Sequence, residues 1–488
     1  MKKVFALIVL SALLIAAQTK QYFSKNEIAQ EIEKAINNKL NSTHWGIKIE
    51  SLEDGDVIFE KNAEKNFLPA SNMKIITTAS ALEILKPNYV YKTYIYKNGE
   101  ISSDGTLNGD LIIRGSGDPT FSYRSPNNDT SLSVFKRWAK DLKEKGIKKI
   151  NGSIIGDDSC FDNDRFGRGW TKDNELDNFS AQVSGLAFDE NCIVLQFTPS
   201  NKIGEKITVN SIPETSAIKI INNATTGQKG IGSRLSVDRE DGGNVFIVTG
   251  SLGINSKTQF ANYTIDNPSL YFVTVLKEIL ESEGISVTEQ AIVENTGLYR
   301  KFETPENLLT VYESPELRTI IKMMNKDSLN FYAEQLFKTL GYYCYGRGSF
   351  ETGEKAINKF LQKIDVKTNQ INIADGSGLS RLNLVSPDAL VKVLRHVANS
   401  DYYTDFQKSL PVSGISGTLK YRLGGKETGG KIFAKTGSIR YVSALSGYLI
   451  TQNGKTIIFS ILANNFTTHP YEMIKIEDKI CNLLVKLK

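Results

Sequence analysis

The stretch from Phe67 to Pro87, FLPASNMKIITTASALEILKP, holds a serine, a lysine three positions later, and an apolar run that stops at a proline. It reads as a helix with Ser71 at its head. Residues i and i+3 share a helix face, so the Lys74 amine comes within reach of the Ser71 hydroxyl. A serine hydroxyl is a weak nucleophile until a base takes its proton. A lysine becomes that base when burial or nearby cations lower its pKa. The unpaired N–H groups of a helix head add stabilisation for negative charge. Together these describe a serine that can be acylated without histidine. Ser71 would serve equally well as a plain helix cap. Ser-x-x-Lys also recurs at Ser133–Lys136, on a basic helical face, and at Ser216–Lys219, in an apparent strand. The motif therefore needs partners before it carries a function.

Two segments supply them. KDSLNFYAEQL puts Ser328 and Asn330 where one helical run meets the next, offering a hydroxyl for proton relay and an amide for a substrate carbonyl. FAKTGSIRYVSALSGYLI is a strand carrying the only Lys-Thr-Gly of the chain. Lys435 brings positive charge, Thr436 a hydroxyl, and Gly437 room for close backbone approach. Ser-x-x-Lys, Ser-x-Asn and Lys-Thr-Gly in this order are the active-site set of penicillin-binding proteins and class A β-lactamases.

With GDLIIRGSGDPT, INGSIIGDDSCFD, FSAQVSGLAFDEN, DGSGLSRLNLVSP and LPVSGISGTLKYRLGG in the same order, the chain resembles the penicillin-binding protein 4 type of D-alanyl-D-alanine carboxypeptidase/endopeptidase from about Leu68 to Leu449. The resemblance implies Ser71 as nucleophile, Lys74 as its base, and Ser328 with Asn330 as the second motif. It implies Lys435, Thr436 and Gly437 at the substrate carboxylate, and the backbone N–H groups of Ser71 and Ser438 as oxyanion hole. Trp170, Asp173 and Arg381 match positions at which some members read the substrate side chain. One departure stands out: FSAQVSGL carries Gln182 and Gly185 where the family leads one to expect proline and alanine. The expected activity is serine DD-peptidase cleavage of peptidoglycan stem peptides, with β-lactams as acylating mimics and no metal or cofactor. A β-lactamase or esterase with the same site, or a non-enzymatic penicillin-binding sensor, are the alternatives.

The expected fold class is α+β: a β-lactamase/transpeptidase-like domain, an antiparallel sheet flanked by helices, split by a mainly β insertion. The reason is a change of texture along the chain. An amphipathic helix (Ser24 to Asn41), a hairpin through Asp54-Gly55 and the Ser71 helix come first. Short alternating strands dominate from about Tyr94 to Asn267, broken by one helix from Ser131 to Gly146. Long helices and strong strands then return. The domain expectation is therefore 24–93 with 268–488, interrupted by 94–267; three domains in series is the other arrangement. A two-stranded hairpin is too small to stand alone and must join a larger sheet.

The remaining features bound the function. At 488 residues the chain exceeds one core's usual reach. A net charge of +5 without a dense basic block argues against nucleic acid. Lys2 and Lys3 followed by an apolar run from Val4 to Ala17 have the layout of a secretory signal peptide, residues 1–17, with an uncleaved anchor as alternative. No second hydrophobic span follows, so a secreted, periplasmic or envelope-associated protein without an integral span is expected. Of the four cysteines, Cys160 and Cys192 are the pair close enough to suggest a disulfide; buried free thiols are the other reading. Only His44, His396 and His469 occur, too scattered for a histidine metal site.

Overall fold

The computed structural model describes residues 22–37, 43–126 and 130–488. The proposed signal segment lies outside them. Its centre is a five-stranded sheet built from both ends of the chain. In spatial order the strands are Val57–Lys61, His44–Ser51, Thr456–Asn464, Val442–Ile450 and Ile432–Ile439. All four pairings are antiparallel. The N-terminal hairpin thus gains its stability by joining the C-terminal meander, with Ile47 opposite Ile461.

Both faces of this sheet are covered, and the two-residue period of the strands decides which side chain goes where. Ala444, Tyr448, Ile458 and Leu462 face one core, with the serine helix Met73–Leu85 and the helices Leu317–Asp327, Asn330–Tyr345, Phe350–Lys363 and Pro387–Ala398. Leu445, Leu449, Ile457, Phe459 and Ile461 face the other, under helices Lys25–Ile36 and Pro470–Leu484. The first helix is fixed at its start by a capping box between Ser24 and Glu27. The serine helix is buried on nearly every side. That explains its lack of amphipathic pattern: it is the axle of the first core, not a surface helix.

The β-rich block has its own core around Phe121, Phe135, Trp138, Phe188 and Phe272. Its main sheet orders strands Ala291–Glu294, Ile154–Asp157, Leu111–Arg114, Lys92–Lys97 and Leu308–Glu313. The expected border at residue 267 does not match this packing. Helix Pro268–Ser282 buries Tyr271, Phe272 and Leu276 in the block's core. The strand Leu308–Glu313 pairs with Lys92–Lys97, and Ala291–Glu294 with Ile154–Asp157. Periodicity alone could not assign that helix, because its apolar face fits either core. We propose 92–313 as the inserted unit.

The four cysteines are free thiols, three of them buried and Cys344 exposed. Cys160 and Cys192 are therefore unpaired core residues. At Gly185, one of the two departures in FSAQVSGL, a Cβ would lie 2.7 Å from both the Asp158 carbonyl oxygen and Cys160 Sγ, so alanine has no room. At the other, Gln182 donates to Asp266 Oδ1 at 2.6 Å. Among the described residues no helix is long and apolar enough to cross a membrane.

Candidate active site

Ser71 lies in a single 3-10 turn, Ala70–Asn72, that leads directly into the serine helix. Lys74 is that helix's second residue. Its Nζ donates to Ser71 Oγ at 3.0 Å, to Asn330 Oδ1 at 2.7 Å and to the Ser377 carbonyl at 2.9 Å. The side chain is completely buried. Burial strips the ammonium of water and pulls its pKa down to about 7; the buried carboxylates of Glu334 and Asp375 oppose the fall.

The Ser-x-Asn segment is a break between two helices. Leu317–Asp327 ends at Ser328, held in the left-handed region (φ 59°), and Asn330 begins the next helix. This kink turns both side chains to the same side. Ser328 Oγ accepts from Lys435 Nζ at 2.9 Å, and the same ammonium donates to the Thr436 carbonyl at 2.8 Å. Asn330 is held at both ends, since its Nδ2 donates to the Phe179 carbonyl of the β-rich block at 2.9 Å. Lys435 is also fully buried, and its pKa is lowered well below the usual lysine range by burial first and by Lys74 second.

The Lys-Thr-Gly strand is the edge strand Ile432–Ile439, and it runs past the serine turn. At Gly437 a Cβ would sit 2.9 Å from the Pro69 carbonyl oxygen and 3.0 Å from the Ser71 nitrogen. Only glycine lets the strand approach this closely. The Asn72 amide also meets Ser446 Oγ, on the neighbouring strand, at 2.7 Å.

In front of the serine opens a cleft of about 820 Å³, lined by Ser71, Asn330 and Ser438 and, further out, by Trp170, Arg381 and Arg440. Trp170 is fixed by its indole N–H, which donates to Asp375 Oδ2 at 2.9 Å. Arg381 donates to the Arg440 carbonyl at 2.9 Å. Asp173 does not reach the cleft lining. It is exposed in the short turn Lys172–Asn174, while its neighbours Thr171 and Asn174 line the wall. The structure thus brings together Ser71, Lys74, Ser328, Asn330, Lys435 and Gly437, puts Trp170, Arg381 and Ser438 on the cleft wall, and leaves Asp173 at the rim.

Several contributors have no sequence signature. The carbonyls of Ser377 and Phe179 act through the backbone, whatever side chain they carry. Glu334 accepts from the N–H groups of Gly376 and Ser377 at 2.9 and 2.8 Å, and so anchors the loop that meets Lys74. A glutamate inside the apolar run NFYAEQLF was the one available signal for it. None of the three histidines lines the cleft. Among the described residues, no cluster of His, Cys, Asp and Glu is arranged to hold a metal ion.

The chain is similar to known proteins over most of its length. Residues 27–487 match the Peptidase_S13 family, described as the D-Ala-D-Ala carboxypeptidase 3 (S13) family. The D-alanyl-D-alanine carboxypeptidase of Actinomadura sp. (strain R39) is 30% identical over 450 residues, 90% of this chain and 81% of that protein. The D-alanyl-D-alanine carboxypeptidase DacB of Haemophilus influenzae is 27% identical over 455 residues, covering 90% and 91%. The crystal structure of penicillin binding protein 4 (dacB) from Haemophilus influenzae superposes with a TM-score of 0.81 at 25% identity, covering 94% of this chain and 99% of that one. The chain is accordingly a member of the D-Ala-D-Ala carboxypeptidase 3 (S13) family of serine-type carboxypeptidases.

Proposed function

We propose that this enzyme cleaves the D-Ala-D-Ala bond of peptidoglycan stem peptides through an acyl-enzyme on Ser71. Neutral Lys74 takes the Ser71 proton along their 3.0 Å contact as Oγ attacks the carbonyl carbon. The oxyanion is held by the N–H groups of Ser71 and Ser438, a role worth about a hundred- to a thousandfold per donor. Ser328 gives its hydroxyl proton to the departing nitrogen and takes one from Lys435 along their 2.9 Å contact, and D-alanine leaves. Thr436 and Lys435 receive the substrate's terminal carboxylate. Water then attacks the acyl carbon, its proton returns through Ser328 to Lys435, and Lys74 gives its proton back to Ser71 Oγ as the acyl–oxygen bond breaks. When the leaving amine belongs to a cross-linked side chain instead of free D-alanine, the same steps make the enzyme an endopeptidase. Trp170 and Arg381 face the part of the stem peptide that lies on the acyl side.

The observation that carries this reading is Lys74: a fully buried lysine whose amine touches Ser71, Asn330 and a carbonyl, with its pKa near neutrality. Burying an amine costs desolvation that a leucine would avoid, and an amine with a lowered pKa in contact with a serine hydroxyl suits a base. β-Lactams present the same acyl–nitrogen bond, and a β-lactam complex is known for the penicillin binding protein 4 of Haemophilus influenzae. They should acylate Ser71 here. Mass spectrometry of the intact protein after incubation with a labelled penicillin tests this. One adduct on the wild type and none on Ser71→Ala supports the reading; an adduct that persists on the variant removes Ser71 from the mechanism. Digestion of purified cross-linked and uncross-linked muropeptides separates the two peptidase activities. The N-terminal apolar run in the sequence supports export to the cell envelope as part of this proposal, and fractionation of the producing cells tests it.

A further inference from the structure

Lys326 is a half-buried amine that none of these steps uses. It lies two residues before Ser328, at the end of the helix Leu317–Asp327. Its Nζ donates to Ser416 Oγ at 2.8 Å and to the Leu410 carbonyl. The turn that follows, Gly417–Leu419, is pressed against the same helix end. Gly417 has φ +61°, and a Cβ there would meet the Lys326 carbonyl oxygen at 2.7 Å. Leu419 plugs the turn into the core under the sheet. Between these two anchors stands Thr418. Its side chain is exposed, and its Oγ1 lies 2.7 Å from Thr436 Oγ1.

That contact constrains where the Thr436 proton points. A hydroxyl has one hydrogen to donate and two lone pairs to accept with. If Thr418 donates into Thr436, the single Thr436 proton is left for a third group, and polarisation along the chain strengthens that bond. A substrate carboxylate, which only accepts, is the partner that favours this order. We propose that Thr418 is a positioning residue for the substrate's terminal carboxylate, acting through Thr436, and that Lys326 holds its turn in place. This rests on the reading of Thr436 as a carboxylate contact.

The test uses two thioester substrates with the same D-Ala acyl group, one whose leaving group carries a carboxylate and one whose carboxylate is a methyl ester. Thr418→Val keeps the shape and removes the hydroxyl. The expected result is a loss in kcat/KM of about tenfold, mainly in KM, for the carboxylate substrate only, the size of one hydrogen bond to a charged group. Thr418→Ser restores it, and Lys326→Met gives a smaller selective loss. An equal loss on both thioesters, or none, overturns the proposal. Thr436→Val separates the two levels. If it discriminates between the thioesters and Thr418→Val does not, the role of Thr418 falls while that of Thr436 stands. If neither discriminates, both fall.

Discussion

Lys435 Nζ and Ser328 Oγ meet at 2.9 Å although 107 positions separate them in the chain. The lysine comes from an edge strand and the serine from a helix break, so a shift of either element breaks this contact. On the proposed mechanism they form one proton path to the leaving nitrogen. Removing either should cost about a hundred- to ten-thousandfold in the acylation rate, the range of general acid–base groups. The double variant Ser328→Ala/Lys435→Ala should then cost little more than one single variant. Stopped-flow acylation by a chromogenic β-lactam measures all three; additive losses would show two independent roles.

Lys74 makes the pH dependence specific. Its pKa in the fold, about 7, lies below its ordinary value because burial penalises the ammonium. The neutral amine therefore prevails above about pH 7, where an exposed lysine would still be charged. Acylation should rise with pH through a limb that Lys74 shares with the buried Glu334, whose carboxyl is raised to about 8 by burial, and should not wait for pH 10. A rate profile flat from pH 6 to 9, or a limb near pH 10, contradicts Lys74 as the base.

Gly437 is required by proximity to the serine turn, not by its own conformation. A Cβ at 2.9 Å from the Pro69 oxygen and 3.0 Å from the Ser71 nitrogen must push that turn back. Gly437→Ala should displace an oxyanion donor and slow acylation by about a hundredfold or more. Gly243, where a Cβ meets nothing within 4 Å, is the control, and Gly243→Ala should acylate like the wild type. Equal rates for the two variants would mean that the turn adapts.

The stability of the helix that carries Asn330 has its own electrostatic weak point. Lys338 is fully buried, donates to Asp162 Oδ1 at 2.6 Å and lies over the Phe350 ring. Asp162→Ala removes that ammonium's ion-pair partner, leaving it the Asp164 carbonyl, and should cost about 3 kcal/mol in denaturant unfolding. Adding Lys338→Met should recover most of it, since an apolar side chain needs no partner there. A double variant no more stable than Asp162→Ala would show that the pair is held by something other than charge.

How much of this could be read from the chain depends on distance along it. The Ser71–Lys74 pairing is a local consequence of helical spacing. The capping box at Ser24, the hairpin at Asp54-Gly55, the helix break at Ser328 and the antiparallel strands around Lys435 follow from local patterns of the same kind. Family likeness added the roles. Asp173 shows the limit of that likeness: a loosely matched position in an irregular segment ended on the rim, because no periodic pattern fixes where a turn residue points.

Sequence by itself determined which side chains could do chemistry and which local element would carry each. Tertiary structure decided which of them meet. The Asn330 amide reaches Lys74 across 256 positions, the Ser377 carbonyl across 303, and the Phe179 carbonyl grips Asn330 across 151. Two of these partners are backbone oxygens, which every residue possesses and no motif can mark. The buried state that lowers the pKa of Lys74 is likewise a property of the surrounding core and not of the lysine. Helical and strand periods are set by bonds within a few residues, whereas the desolvation and register of a site are set by how separate elements pack.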